Sequence, residues 1–175
     1  KNFRLNWFIN LNKSLDLNLS NLFFGSKIVN YEDKILVSSN ENFYVIDSKS
    51  GFITSKKNFS TKIKPVVNKN NIFLVTKNNF LIVMNLQNTE IIYSHDLNKK
   101  LSDFKKIKRN LEIKNLMLVN SNIFLLIKNS HIVKLDIKGN LLEVTKVPSN
   151  LNSQPIFIDN SLLYLDKKNK LLIVN

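Results

Sequence analysis

Three residues of one chemical kind recur at matching places in this 175-residue chain: Asp47, Asn85 and Asp136. Each closes an apolar run and opens a polar turn: Asp47-Ser48-Lys49-Ser50-Gly51, Asn85-Leu86-Gln87-Asn88-Thr89 and Asp136-Ile137-Lys138-Gly139-Asn140. Carboxylates in register could ring a cation or pair as acid and base. A short Asp or Asn side chain also accepts hydrogen bonds from backbone N–H groups two residues on, and Gly or Asn supplies the positive φ that closes a hairpin. Asn85 fills the same place without a charge, so the turn reading is favoured over catalysis. Other chemistry is sparse. His95 and His131 have no carboxylate at ligand spacing and are read as structural or solvated. The absence of Cys excludes disulfides, thiolate metal sites and a Cys nucleophile. Gly25, Gly51 and Gly139 lie far apart, so there is no phosphate-cradling loop. No Gly-x-Ser-x-Gly nucleophile motif occurs. No catalytic, metal-binding or cofactor-binding residue is predicted, and no cofactor.

The elements that carry these turns repeat. Ile35–Val37 with Phe43–Asp47, Ile72–Val75 with Phe80–Asn85, Ile123–Ile127 with Ile132–Asp136, and Leu162–Leu165 with Leu171–Asn175 are four versions of one pattern. The closing Asp or Asn residues stand 38, 51 and 39 residues apart, and the opening Ile or Leu residues 37, 51 and 39 apart. Each unit opens with a short apolar piece, and the first three add a half-apolar closing segment (Phe52–Phe59, Glu90–Leu97, Leu141–Val147). The long runs are rich in Ile, Val, Phe and Leu, bounded by turn residues and mostly free of 3.6-residue periodicity, which predicts strands. Four short strands per roughly 38 residues is a β-propeller period. The expected fold is all-β, about four four-stranded antiparallel blades, with repeats near 26–59, 64–97, 114–147 and 154–175. The middle strands are apolar on both sides, as expected where neighbouring blades cover both faces of the pleat.

Between the second and third units lies extra chain, an insert near 98–113. There Leu97, Leu101, Phe104, Ile107 and Leu111 form a helical stripe, predicting a short amphipathic helix over about 98–111 with a basic outer face. Lys105, Lys106, Lys108 and Arg109 are the candidate partner-binding residues. The chain carries 26 Lys plus Arg against 13 Asp plus Glu, a net charge of +13. That charge can draw nucleic acid, anionic lipid or an acidic partner, or it can be merely solvated. Only Arg4 and Arg109 are arginines, which disfavours a nucleic-acid reader, since bidentate phosphate and base contacts favour Arg. With 43% hydrophobic and 22% charged residues and no apolar run longer than five, no transmembrane helix is predicted. The chain starts at Lys1 without Met, read as a processed or trimmed amino end with any targeting or lipid-attachment sequence outside it.

The repeats, best seen in Phe43-Tyr44-Val45-Ile46-Asp47-Ser48-Lys49-Ser50-Gly51-Phe52-Ile53, resemble those of pyrroloquinoline-quinone-type propellers. Within that superfamily they are most similar to the non-enzymatic outer-membrane-assembly lipoproteins of the BamB type. Where that family places a blade Trp, this chain has Ser55, Tyr93 and Val144, and only Trp7 suits the role. The resemblance implies a protein-binding scaffold without enzymatic activity, periplasmic or in the cell envelope and outer-membrane-anchored, with a β-barrel assembly machine as partner. A quinone-dependent dehydrogenase-like domain is the alternative within the same repeat family, and a basic nucleic-acid or anionic-surface binder is the alternative from charge. Such propellers have seven or eight blades, which implies that these repeats are half of a larger ring. An open half predicts two apolar end faces needing cover, by self-association or by more of the same chain. The stretch Phe3–Asn10 reads as an outer strand, placed either to close the fourth unit or to belong to a preceding blade.

Overall fold

The computed structural model describes residues 4–11, 27–39, 41–104, 111–128, 130–151, 153–159 and 161–174. Local sequence dictates the strands: β-branched and aromatic runs favour the pleated, buried backbone, and Asx-type turns break them at regular intervals. The first blade is β1 (Val29–Tyr31), β2 (Lys34–Ser38), β3 (Phe43–Asp47) and β4 (Ile53–Lys57). The second is β5 (Val66–Asn68), β6 (Asn71–Val75), β7 (Phe80–Asn85) and β8 (Ile91–Asp96), followed by one helical turn, α1 (Leu97–Lys100). The third is β9 (Ile113–Val119), β10 (Asn122–Ile127), β11 (His131–Asp136) and β12 (Leu141–Lys146), and the fourth is β13 (Ile156–Ile158), β14 (Ser161–Leu165) and β15 (Leu171–Val174). All pairings within a blade are antiparallel and run in sequence order.

Each four-stranded blade carries a β-bulge at the same place in its outer strand, where the register shifts between Val45 and Ile46, Val83 and Met84, and Lys134 and Leu135. In the first blade the extra residue is Thr54, whose hydroxyl donates to the Val45 carbonyl at 3.0 Å. The bulge tightens the local twist and re-aims the following side chain. That side chain is Ser55, opposite Val45, and Tyr93, opposite Val83. In the third blade the turn is one residue shorter: Asp136 N–H bonds the carbonyl four residues on, where Asp47 and Asn85 reach five. The equivalent place therefore falls to Glu143, opposite Lys134, and not to Val144, the position expected by counting.

The core is divided into clusters, one at each joint. Leu36, Phe43 and Val45 of the first blade pack on Ile72, Leu74, Ile82 and Met84 of the second. Phe73, Val75, Leu81 and Val83 pack on Leu116, Ile123, Leu125 and Val133 of the third. Val147, Met117 and Ile132 pack on Leu162, Tyr164 and Leu172 of the fourth. The other side of the first blade, Val37, Tyr44 and Ile46, is covered by Trp7, Ile9 and Leu11. Two expectations are corrected here. Residues 4–11 form no strand and do not pair with β15; they lie as an extended cover on the first blade. Only the fourth blade therefore shows an uncovered apolar face among the described residues, because Trp7 and its neighbours supply the apolar surface the other end needed.

The insert is also corrected in part. Among the described residues its helix is the single turn α1, capped by Asp96, whose carboxylate accepts from the N–H groups of Asn98 and Lys99, and residues 105–110 lie outside the described residues. Leu97 and Leu101 are fully buried in the cluster between blades two and three, and Leu111 packs against it. These contacts account for Leu97, Leu101 and Leu111 of the stripe, whereas Phe104 is 39% exposed, Ile107 lies outside the described residues and Ile113 already belongs to β9.

Candidate functional site

The repeated Asp and Asn residues act as turn anchors. Asp47 accepts from the N–H groups of Lys49 and Ser50 and from the Ser50 hydroxyl, at 3.1, 2.8 and 2.7 Å. Asn85 accepts from Gln87 and Asn88, and Asp136 from Lys138 and Asn140. Ser50 holds the Asp47 carboxyl below the usual carboxylate range, and Asn140 does the same for Asp136, because these bonds favour the charged form. Gly51, Thr89 and Gly139 carry the positive φ that completes each turn.

Each turn is also a socket for the element before it. The Trp7 indole N–H donates to Ser48 O at 3.1 Å while its ring lies on Gly51. At the next joint, Thr89 donates its hydroxyl to Ser55 at 3.0 Å. At the third, Tyr93 donates to Ile137 O at 2.6 Å, and His95, set on Gly139, bonds Lys138 O at 2.9 Å. The carbonyl taken is that of the residue after the anchoring Asp in both ring-docked joints. His95 is thereby structural, and His131 pairs within its sheet opposite Ile127 and Lys146.

Burial raises the Tyr93 hydroxyl to about 12, with the Asp136 charge adding to it. The folded protein holds the neutral phenol, so this contribution is complete below pH 10 and is lost as pH climbs from about 10 toward 12. Tyr93→Phe should cost about 1 kcal/mol near neutrality through the lost bond to Ile137. The stability gap between the two proteins should then close above about pH 11, as measured by denaturant titration across pH. A gap constant from pH 8 to 12 would contradict the assignment.

The surface that remains uncommitted is a basin of about 440 Å³ on the axis. The segments entering the innermost strands meet there with the turns that follow β10 and β14, bringing Lys27, Lys62, Lys64 and Lys114 together with Lys128 and Lys167 at one rim. Its floor is apolar, built from Ile63, Leu126, Ile127, Leu151 and Pro155, and Asn115, Asn150 and Gln154 supply amide groups. No carboxylate among the described residues lines it. Glu112, on the neighbouring wall, bonds Lys114 and lies 2.7 Å from Lys128. These two lysines, Lys114 first, bring its carboxyl down to about 2. Lys62, Lys64 and Lys167 have no ion-pair partner among the described residues. The sequence reading missed this cluster, because its lysines are scattered from residue 27 to residue 167. The predicted site residues Lys105, Lys106, Lys108 and Arg109 lie outside the described residues.

With six ammonium groups and no carboxylate, the described lining does not make the anionic oxygen-ligand set a calcium-bridged quinone needs, and no group of three or more His, Asp or Glu residues that could hold a metal occurs among the described residues. No helix among them is long and apolar enough to cross a membrane.

Successive antiparallel blades, locked turn to outer strand around a common axis, define a β-propeller arc. Among solved structures the chain is similar to BamB from Moraxella catarrhalis, with a TM-score of 0.66 and 12% identity over 85% of this chain and 42% of that one. It is also similar to the computationally designed Ika4 protein (TM-score 0.63, 14% identity, 92% of this chain and 94% of that one). A third is a protein of unknown function from Bacteroides caccae (TM-score 0.58, 13% identity, 91% and 63%). The chain thus spans about two-fifths of the length of BamB. No protein-family model and no curated protein matches the sequence.

Proposed function

We propose that this chain is a non-enzymatic, protein-binding propeller scaffold of the cell envelope, serving the assembly of outer-membrane β-barrel proteins. The observation that carries the reading is the commitment of the repeated polar groups. Asp47, Asn85 and Asp136 are used up in holding backbone amides, and no carboxylate among the described residues lines the axial basin. What such a molecule offers is a rigid surface: the basin, the turn-lined ends of the blades and the edge of β15, which has no second partner strand among the described residues. The likeness in fold to BamB supports the choice of partner. Strand edges can align partner strands by β-augmentation, and rim charges speed encounter.

The test is calorimetric titration of the purified chain with the soluble domains of a β-barrel assembly machine. Micromolar affinity that weakens as salt rises is expected. Titration with pyrroloquinoline quinone and calcium should release no heat of specific binding. Dye-linked alcohol oxidation, or micromolar quinone affinity, would replace this reading with the dehydrogenase one.

A further inference from the structure

The geometry points to the axial basin as a binding site for an extended, acidic peptide segment with interspersed apolar side chains. This inference rests on the scaffold reading and adds the chemistry of what is bound. Six lysines share one rim, and among the described residues Lys62, Lys64 and Lys167 have no ion-pair partner, while Glu112 on the adjacent wall is engaged by Lys114 and Lys128. Such an arrangement gains most from an anion that enters it, because opposite charges near a low-dielectric wall attract more strongly than in bulk water.

The kind of anion follows from the lining. Nucleic acid would want aromatic rings to stack on and guanidinium forks for its phosphates, and the described lining residues include neither. Lysines are point charges on flexible stems, suited to carboxylates whose positions vary along a peptide. The floor of Ile63, Leu126, Ile127, Leu151 and Pro155 can receive apolar side chains that alternate with those carboxylates, as they do along an extended strand. Asn115 and Gln154 can meet the peptide backbone with both donor and acceptor atoms. At about 440 Å³ the basin falls within the ordinary range of ligand sites and admits a few side chains at a time.

The probe is an eight-residue peptide alternating Glu with Leu, compared with its Gln counterpart and with a DNA oligonucleotide of equal charge. The acidic peptide should bind, and the Gln peptide should bind at least tenfold more weakly. The triple variant Lys62→Glu, Lys64→Glu, Lys167→Glu should lose at least tenfold in affinity. A control with the same charge change on outer surfaces, Lys56→Glu, Lys99→Glu, Lys146→Glu, should lose less than threefold. Glu112→Gln should raise affinity two- to fourfold by releasing Lys114 and Lys128. Equal losses in the two triples, or DNA bound as tightly as peptide, would overturn the inference. If the assembly-machine domains still bind the basin triple undiminished, the scaffold reading stands and the basin assignment alone falls. If those domains bind neither protein while the peptide does, the reverse holds.

Discussion

Gly139→Ala is expected to lower the melting temperature by about 6–12 °C, corresponding to about 3 kcal/mol in a chain of this size. Two independent penalties combine. Gly139 has φ +82, where a Cβ costs about 1–2 kcal/mol. That Cβ would also stand 2.4 Å from His95 Cδ2 and 3.3 Å from the Tyr93 ring. The His95 ring must then leave the turn, and its bond to Lys138 O, worth about 1 kcal/mol, goes with it. Gly51→Ala should behave alike, since its Cβ would meet Trp7 Cδ2 at 2.6 Å and displace the indole from Ser48. The control is Thr89→Gly at the middle joint. Relief of a non-glycine φ of +58 offsets the lost bond to Ser55, and the net change should stay within about 0.5 kcal/mol. Thermal unfolding of the three variants decides the matter: a harmless Gly139→Ala would mean that the turns are not sockets.

Sedimentation of the 175-residue chain at micromolar concentration is expected to show association and no stable monomer. In the fourth blade Leu162 and Tyr164 face the third, while the opposite face has no cover among the described residues. Ile156, Ile158, Leu171 and Ile173 are 55%, 51%, 63% and 62% exposed. Covering them is worth roughly 1.5 kcal/mol each, about 6 kcal/mol together. That sum only approaches the cost of bringing two molecules together, about 4–15 kcal/mol. The edge of β15, paired among the described residues with β14 alone, supplies the remainder through ladder hydrogen bonds. Leu171→Lys with Ile173→Lys should yield a monomer with unchanged β-sheet circular dichroism. A monomer of the unsubstituted chain at tens of micromolar would show that the face tolerates water.

The strands could be read before the structure because their determinants are local. Phe43–Asp47 and Phe80–Asn85 are bounded by residues that make turns wherever they occur, and their doubly apolar character marks strands between blades. The anchoring role of Asp136 was legible for the same reason. Features set by the relation between distant segments were not. The shift from Val144 to Glu143 depends on one residue missing from a turn, which pattern counting averages away. The stripe beginning at Leu97 and Leu101 looked like a helix because both residues are core. Their burial comes from packing against the third blade, and the helix stops after Lys100. Trp7 was recognisable as suited to the blade Trp place, but its segment covers a blade without pairing to one. The axial lysines carry no mutual spacing in the sequence, and only the meeting of strand entries with the turns after β10 and β14 brings them together.

The division of the core into one cluster per joint makes this molecule, thermodynamically, a row of coupled units with nearest-neighbour terms only. In such a row an interior unit is held from two sides and a terminal unit from one. The fourth blade is the terminal unit, and its single joint also buries the Tyr164 hydroxyl with no hydrogen-bond partner among the described residues. Amide protons of β14 and β15 would accordingly exchange with solvent through a partial opening that leaves β6, β7, β10 and β11 intact. The face that would dock a neighbour is thus on the part of the chain that yields most easily, so docking there and local ordering are one equilibrium.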